Sequence, residues 1–472
     1  MHDPAEAPLA AGYEAALVAG ARPFTIPGHK GSTDLVGPVV AGDVPMWPGL
    51  DPLHGGADLL PRAEQLAANL WGADWCRFSV GGSTHCNQAM ALGVAAPGDV
   101  VVSTRAVHRS MLLGFVLAGL SPVWVEPDID ALSGLPVGIP AERLAQALSD
   151  HPTARAAFVV EPGYVGTRSD VAALASAAHV AGVPLVVDQA WGGHLGFHPG
   201  LPPHALAAGA DAFVTSAHKA LPAYTQAALV CARLDRLDRD RLGRAFDATH
   251  TTSPAGAILA SIDAARSLLA SDGERLLGRT IALVAAARAR LAGVDGLLAV
   301  DGPPERLDPT KLVVGLAGTG ADGLRVEAHL AAAGFPVEMA DRDTIVAIVT
   351  VADTEATVQP FVDTLLAAVE RERGEPRLVV PAAWLGAGLP EVAMTPRDAF
   401  FAPHETVRAE AAAGRVAAEL MAPYPPGIPA IVPGEVIGAA VLDALRAAAA
   451  SGVLVSYAAD PTLATVQVVA RR

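Results

Sequence analysis

From about residue 61 the chain alternates between short apolar runs and stretches in which apolar residues recur every three to four positions. The longer period marks helices and the short β-branched runs mark strands. Helices are predicted over 62–71, 84–95, 108–119, 140–149 and 170–181, and strands at 76–80, 100–103, 123–126, 157–161, 184–188, 212–216 and 225–232. Such alternation implies βα units, hence an α/β fold with a mostly parallel sheet covered on both faces. In sheets of this kind functional groups gather at the carboxyl ends of the strands. Residues 1–60 are rich in Pro and Gly and read as an irregular arm with one short helix at 9–20. The large domain runs over 61–295 and closes with a helical connector at 254–293. Strands at 311–316 and 345–351 with helices at 322–333 and 355–372 predict a small α+β domain over 296–377. A linker at 378–390 opens a C-terminal domain, 378–472, containing a Pro/Gly-rich loop at 423–435.

Composition narrows the function. A chain of 472 residues is too long for one core, and 51% hydrophobic content predicts a folded, buried interior. No apolar run is long enough to span a bilayer; the best, 111–120, stops at Ser121-Pro122. Early acidic residues and no basic-then-apolar signal pattern lead to a cytoplasmic expectation. Cys76, Cys86 and Cys231 lack metal-ligand spacing and read as structural thiols of a reducing compartment, with no metal expected. A net charge of −16 argues against nucleic acid and is compatible with a cationic substrate. Of 33 basic residues only Lys30, Lys219 and Lys311 are lysines. Chemistry that needs a primary amine therefore has three places to happen.

Four segments follow predicted strands. PLVVDQAWGG delivers Asp188 at a strand end, with Trp191 just beyond; a capping or turn aspartate is the ordinary reading of such a residue. AFVTSAHKALPAYTQ carries Ser216, His218 and Lys219 at the same edge. A lysine there is ordinarily a solvated surface residue, a default that loses force in a chain with so few. GGSTHCNQ (81–88) opens a helix after a strand, so Ser83, Thr84 and the first free N–H groups could hold an anion. TRAVHRS (104–110) places His108 at the rim. Together they meet the demands of pyridoxal 5'-phosphate (PLP): a phosphate cradle, an amine, a carboxylate for the pyridine nitrogen and a flat group over the ring.

These stretches resemble the short form of the Orn/Lys/Arg decarboxylase family of fold-type I PLP-dependent (aspartate aminotransferase-like) enzymes. PGHKGS (27–32), GGSTHCNQ, HRS (108–110), DQAWGGHLGFHP (188–199), TSAHKALPAYTQ (215–226), TPRDAFFAPHETV (395–407) and PYPPGIPAIVPGE (423–435) carry the resemblance nearly end to end. It implies that Lys219 binds PLP as a Schiff base and moves protons, that Asp188 pairs with the pyridinium, and that His108 stacks on the ring. Ser83, Thr84, Ser216 and His218 would hold the phosphate, with His85 and Trp191 nearby, and Glu435 would accept the distal cation of lysine, arginine or ornithine. His29 and Lys30 are further substrate-site candidates, on an arm expected to reach the neighbouring subunit of a homodimer or larger homo-oligomer. Two departures stand out: Gln189 and Trp191 where many short members have Glu and His, and His85 where a hydroxyl residue is usual. The implied reaction is decarboxylation of a basic amino acid. The alternatives are another fold-type I activity, such as an aminotransferase using Arg397 for the substrate carboxylate, or a non-catalytic relative.

Overall fold

The computed structural model describes residues 3–18, 26–30, 32–44, 58–130, 136–378, 388–424, 427–450 and 453–471. The linker expected at 378–390 lies mostly outside these residues, as do Gly31, Pro425 and Pro426. Seven strands form the central sheet: β1 (Trp75–Ser79), β2 (Val100–Thr104), β3 (Ser121–Val125), β4 (Ala157–Val160), β5 (Leu185–Asp188), β6 (Ala212–Ser216) and β7 (Ala228–Ala232). Their spatial order is β1-β7-β6-β5-β4-β2-β3. Pairing is parallel from β3 through β6, while β7 runs antiparallel to both its neighbours. The strands β5, β6 and β7 are buried at every position, as a sheet covered on both faces requires. Alternate residues feed two cores: Val187 and Phe213 on one face, Val186 and Val214 on the other.

The predicted helices form at Pro8–Val18, Leu59–Trp71, Gly82–Val94, Arg109–Ala118, Ala141–Asp150 and Val171–Val180. The last predicted strand is shortened. It begins at Ala228, because Gln226 takes φ +76° and turns the chain before pairing starts. A further helix, Arg239–Thr249, begins at Asp238, whose side chain accepts from Arg241 N. Its charges hide a narrow apolar stripe, Leu242, Ala245 and Phe246, that packs so close to Gly93 that a Cβ there would meet Leu242 at 2.8 Å.

A 37-residue helix, Gly256–Ala292, leads to an antiparallel sheet of β8 (Leu298–Ala299), β9 (Lys311–Gly315), β10 (Met339–Ala340) and β11 (Thr344–Ile348), with a core of its own. The chain ends in two small sheets, β12 (His404–Arg408) with β15 (Thr465–Val469) and β13 (Ala422–Tyr424) with β14 (Leu454–Ser456), around a separate core. Among the described residues no helix is long and apolar enough to cross a membrane.

The N-terminal arm is tied down by a buried ion pair in the long helix. Asp263 accepts from Arg266 at 2.7 Å and from Leu9 N at 2.9 Å, and Arg266 donates to Pro4 O at 2.5 Å. Both side chains are fully buried. Breaking such a pair strands a charge and costs about 3–5 kcal/mol. Asp263→Ala should therefore lower the urea midpoint and speed hydrogen exchange over residues 8–18; an unchanged midpoint would contradict the anchoring role.

Candidate active site

The carboxyl ends of β1, β2, β5 and β6 converge on one cavity of about 600 Å³. Of the residues expected there, Ser83, Thr84, His108, Asp188, Trp191, Ser216, His218 and Lys219 all line it. At one end the chain leaves β1 through Gly81 and Gly82 and enters the helix Gly82–Val94. Gly82 has φ +66°, a conformation that side-chain-bearing residues rarely adopt, and its N–H is held by Gln226 O at 2.8 Å. The turn presents the first helical N–H groups and the Ser83 hydroxyl, which lies 2.7 Å from Ser216 Oγ. His218 donates its Nδ1–H to Ala227 O at 2.9 Å, which fixes the ring beside this turn.

At the other end Asp188 is 2% exposed. Its carboxylate accepts from Asn87 Nδ2 at 2.7 Å and from Ala190 N at 3.0 Å. Asn87 spends its second N–H on Ser110 Oγ at 2.9 Å. That hydroxyl lies 2.8 Å from His108 Nδ1, which also accepts from Ser110 N at 3.2 Å. His108 Nδ1 is thus an acceptor, and the neutral ring carries its proton on Nε2. Burial pushes the imidazole below its ordinary range, with Lys219 and Arg109 acting in the same direction and Asp188 opposing.

Lys219 follows β6 in the short helix Ala217–Ala220, with Nζ 4.1 Å from the Trp191 ring centroid. Burial lowers its amine from the usual value, while Asp188 and Glu338 pull the other way. A second amine, Lys311 Nζ, lies 3.6 Å from the same ring. It is buried and lowered to about 8, chiefly by desolvation, with Asp308 opposing. The scarcity of lysine that singles out Lys219 applies equally to Lys311. Tyr164 meets Trp191 edge-on at 5.3 Å and donates to Glu338 Oε1 at 3.0 Å. Tyr164, Glu338, Tyr424 and Tyr457 complete the wall, and of these only Tyr424 falls in a motif, PYPPGIPAIVPGE.

Several expectations need correction. Glu435 does not line the cavity. It is 1% exposed and locked to Arg105, with Nη1 to Oε1 at 2.5 Å and Nη2 to Oε2 at 2.9 Å. A carboxylate so engaged has no free face for a substrate cation. His85 is also withdrawn, since it lies inside the helix rather than at its open end. It takes a hydrogen bond from Ser79 at Nδ1, 2.8 Å, and donates from Nε2 to Phe246 O at 3.1 Å. Ser79 Oγ in turn accepts from Gly81 N at 3.0 Å, so His85 braces the glycine turn from behind. His29 and Lys30, on the arm expected to serve the neighbouring subunit, stand outside the cavity of their own chain, a placement that does not bear on that expectation; His29 lies 3.1 Å from Asp43. Arg397, the aminotransferase candidate, donates to Val116 O and Leu117 O, away from the cavity.

Comparison with known proteins follows the same lines. The description "Orn/Lys/Arg decarboxylase, major domain" matches residues 20–302, and "Orn/Lys/Arg decarboxylase, C-terminal domain" matches 382–453. An arginine decarboxylase of Halalkalibacterium halodurans is 36% identical over 435 residues, 89% of this chain and 87% of that one. An arginine decarboxylase of Bacillus subtilis is 35% identical over 82% of this chain and 81% of its own. Lysine decarboxylase A from Pseudomonas aeruginosa superposes with a TM-score of 0.82 at 21% identity, covering 99% of this chain and 81% of that one, which establishes a shared fold.

The buried imidazole of His85 has a consequence for stability. Its pKa falls from 6.5 to about 4, mainly through burial. Below about pH 6.5 the unfolded chain takes up a proton that the folded chain refuses, so this residue's contribution is lost as pH drops toward 4, by at most ~1.4 kcal/mol per pH unit. His85→Asn should be less stable than the native chain at pH 7, and its deficit should narrow as pH falls to 4.5. Parallel curves of Tm against pH would rule out a neutral buried imidazole.

Proposed function

The chain belongs to the Orn/Lys/Arg decarboxylase family and is a decarboxylase of basic amino acids, and from that premise we propose that it uses PLP to convert arginine to agmatine and carbon dioxide. Arginine is preferred because the relatives at 35–36% identity over most of the chain are arginine decarboxylases. The observation that carries the cofactor is the donor set of one cavity. A glycine turn with hydroxyls stands at one end and a buried carboxylate with two neutral donors at the other, and the Lys219 amine lines the same cavity. Its volume of about 600 Å³ suits a cofactor with an amino acid.

Bound there, PLP supplies an electron sink for the pair released at Cα when the carboxylate leaves as carbon dioxide. The chain's own residues do the rest. The turn 81–84, with Ser216 and His218, holds the phosphate at a helix N-terminus. Asp188, which accepts from Asn87 and from the backbone of Ala190, would hold a proton on the pyridine nitrogen. His108, on the cavity wall, would cover the ring. Lys219 anchors the cofactor through its amine and delivers the proton to Cα, and burial favours the uncharged form it needs. Trp191 bounds the cavity beside that amine.

Glu338 replaces Glu435 as the acceptor of the distal cation. Among the described lining residues it is the one carboxylate besides Asp188. Tyr164, a phenol kept protonated by burial and its neighbours, donates to Oε1 and leaves Oε2 for a guanidinium. A carboxylate at a substrate cation strongly rejects side chains that lack the charge. The three buried free cysteines fit a reducing compartment, and we place the protein in the cytoplasm, acting as a homodimer.

Lys219→Ala should abolish agmatine formation, measured by mass spectrometry, with circular dichroism unchanged; retained turnover would refute the assignment. Glu338→Gln should raise KM for arginine about tenfold or more, the loss of a charged hydrogen bond. An unaltered KM would return the distal-cation site to the search.

A further inference from the structure

The strand β2 ends at Thr104, and Ala106, Val107 and His108 go on to line the cavity. Arg105, between Thr104 and Ala106, does not line this cavity; it binds the C-terminal segment. Its Nε donates to Pro429 O at 2.8 Å, and Nη2 donates to Ala430 O at 3.0 Å and Glu435 Oε2 at 2.9 Å. Nη1 donates to Glu435 Oε1 at 2.5 Å, and Val432 N donates to Glu435 Oε2 at 2.8 Å. The Trp124 ring centroid lies 5.3 Å from the guanidinium carbon. These bonds close a ring between two parts of the chain 330 residues apart. Immediately before the clamped residues, Gly427 and Ile428 line the cavity, and Tyr424 extends the wall to Tyr164, with the hydroxyls 3.3 Å apart.

The side chains of Arg105 and Glu435 are 4% and 1% exposed. Removing two charges from water costs several kcal/mol per ion, an outlay offset only when every donor and acceptor is matched. A displaced C-terminal segment would leave at least one charge unmatched, so the pair tolerates a single placement of that segment. Apolar residues of similar volume could hold the two parts together without selecting one register.

We infer that Arg105 and Glu435 are positioning residues that set where Tyr424, Gly427 and Ile428 stand against the cavity, and through them how tightly substrate is held. The inference rests on this cavity being the substrate site, but it does not depend on which basic amino acid enters.

Two variants test it: Glu435→Gln, and the double replacement Arg105→Met with Glu435→Met, which removes the charges while restoring apolar packing. Hydrogen exchange on the whole cofactor-loaded protein is read first, because it needs no substrate and survives a wrong substrate assignment. Amides of 427–432 should exchange at least tenfold faster than in the native protein in both variants, while those of 185–188 and 212–216 stay protected. With the amino acid that the native protein decarboxylates, KM should rise at least fivefold and kcat change less than twofold. A double variant with native exchange at 427–432 and native KM would overturn the inference, as would a loss confined to kcat.

Discussion

A carboxylate at the end of a fully buried strand has to be satisfied by donors other than water, and that constraint organises the rim of the sheet. Asp188 is met by Asn87 and by the backbone of Ala190. Asn87 belongs to the helix Gly82–Val94, whose first turn, Gly82–Thr84, lines the cavity as the proposed anion cradle. One helix therefore sets both ends of the site, with Asn87 about one turn (~5 Å) beyond the cradle. The same amide reaches Ser110 and through it orients His108. Moving that helix would shift the glycine turn, the carboxylate's partner and the His108 imidazole together.

The proposed chemistry and the proposed selectivity come from different parts of the chain. Residues proposed to handle the cofactor sit at strand ends of the central sheet, where a dense core holds them still. Glu338 precedes a strand of the small sheet, and Tyr424 and Tyr457 come from the C-terminal unit. A rigid floor with walls from loops and neighbouring units lets specificity change without disturbing the reacting centre.

The sequence made the sheet and floor legible because their signals are local. Apolar strands alternate with helices, and each strand is followed within a few residues by the side chain it presents. Lys219 stood out because the chain has so few lysines. Glu338 and Tyr164 gave no such signal: each is a single residue in an ordinary segment, and they meet only through tertiary packing 174 residues apart. Glu435 shows the opposite failure. Its motif identifies the position, but its partner, Arg105, lies in a different unit, so spacing could not reveal that the carboxylate was already engaged. His85 is adjacent to Thr84 in sequence yet turns into the core, where Ser79 and Phe246 take both ring nitrogens. The helix Arg239–Thr249 gives little sequence signal because charged residues dominate it and its buried stripe is only three residues wide.

The account turns on a decarboxylase that reads a distal cation in this cavity. The most direct measurement supplies the PLP-loaded protein with arginine, lysine and ornithine separately and follows carbon dioxide and the amine product as kcat/KM for each. Agmatine formed with equimolar carbon dioxide, at the highest kcat/KM of the three, is the expected result. A keto acid in place of an amine, or no turnover of any of the three, would contradict it.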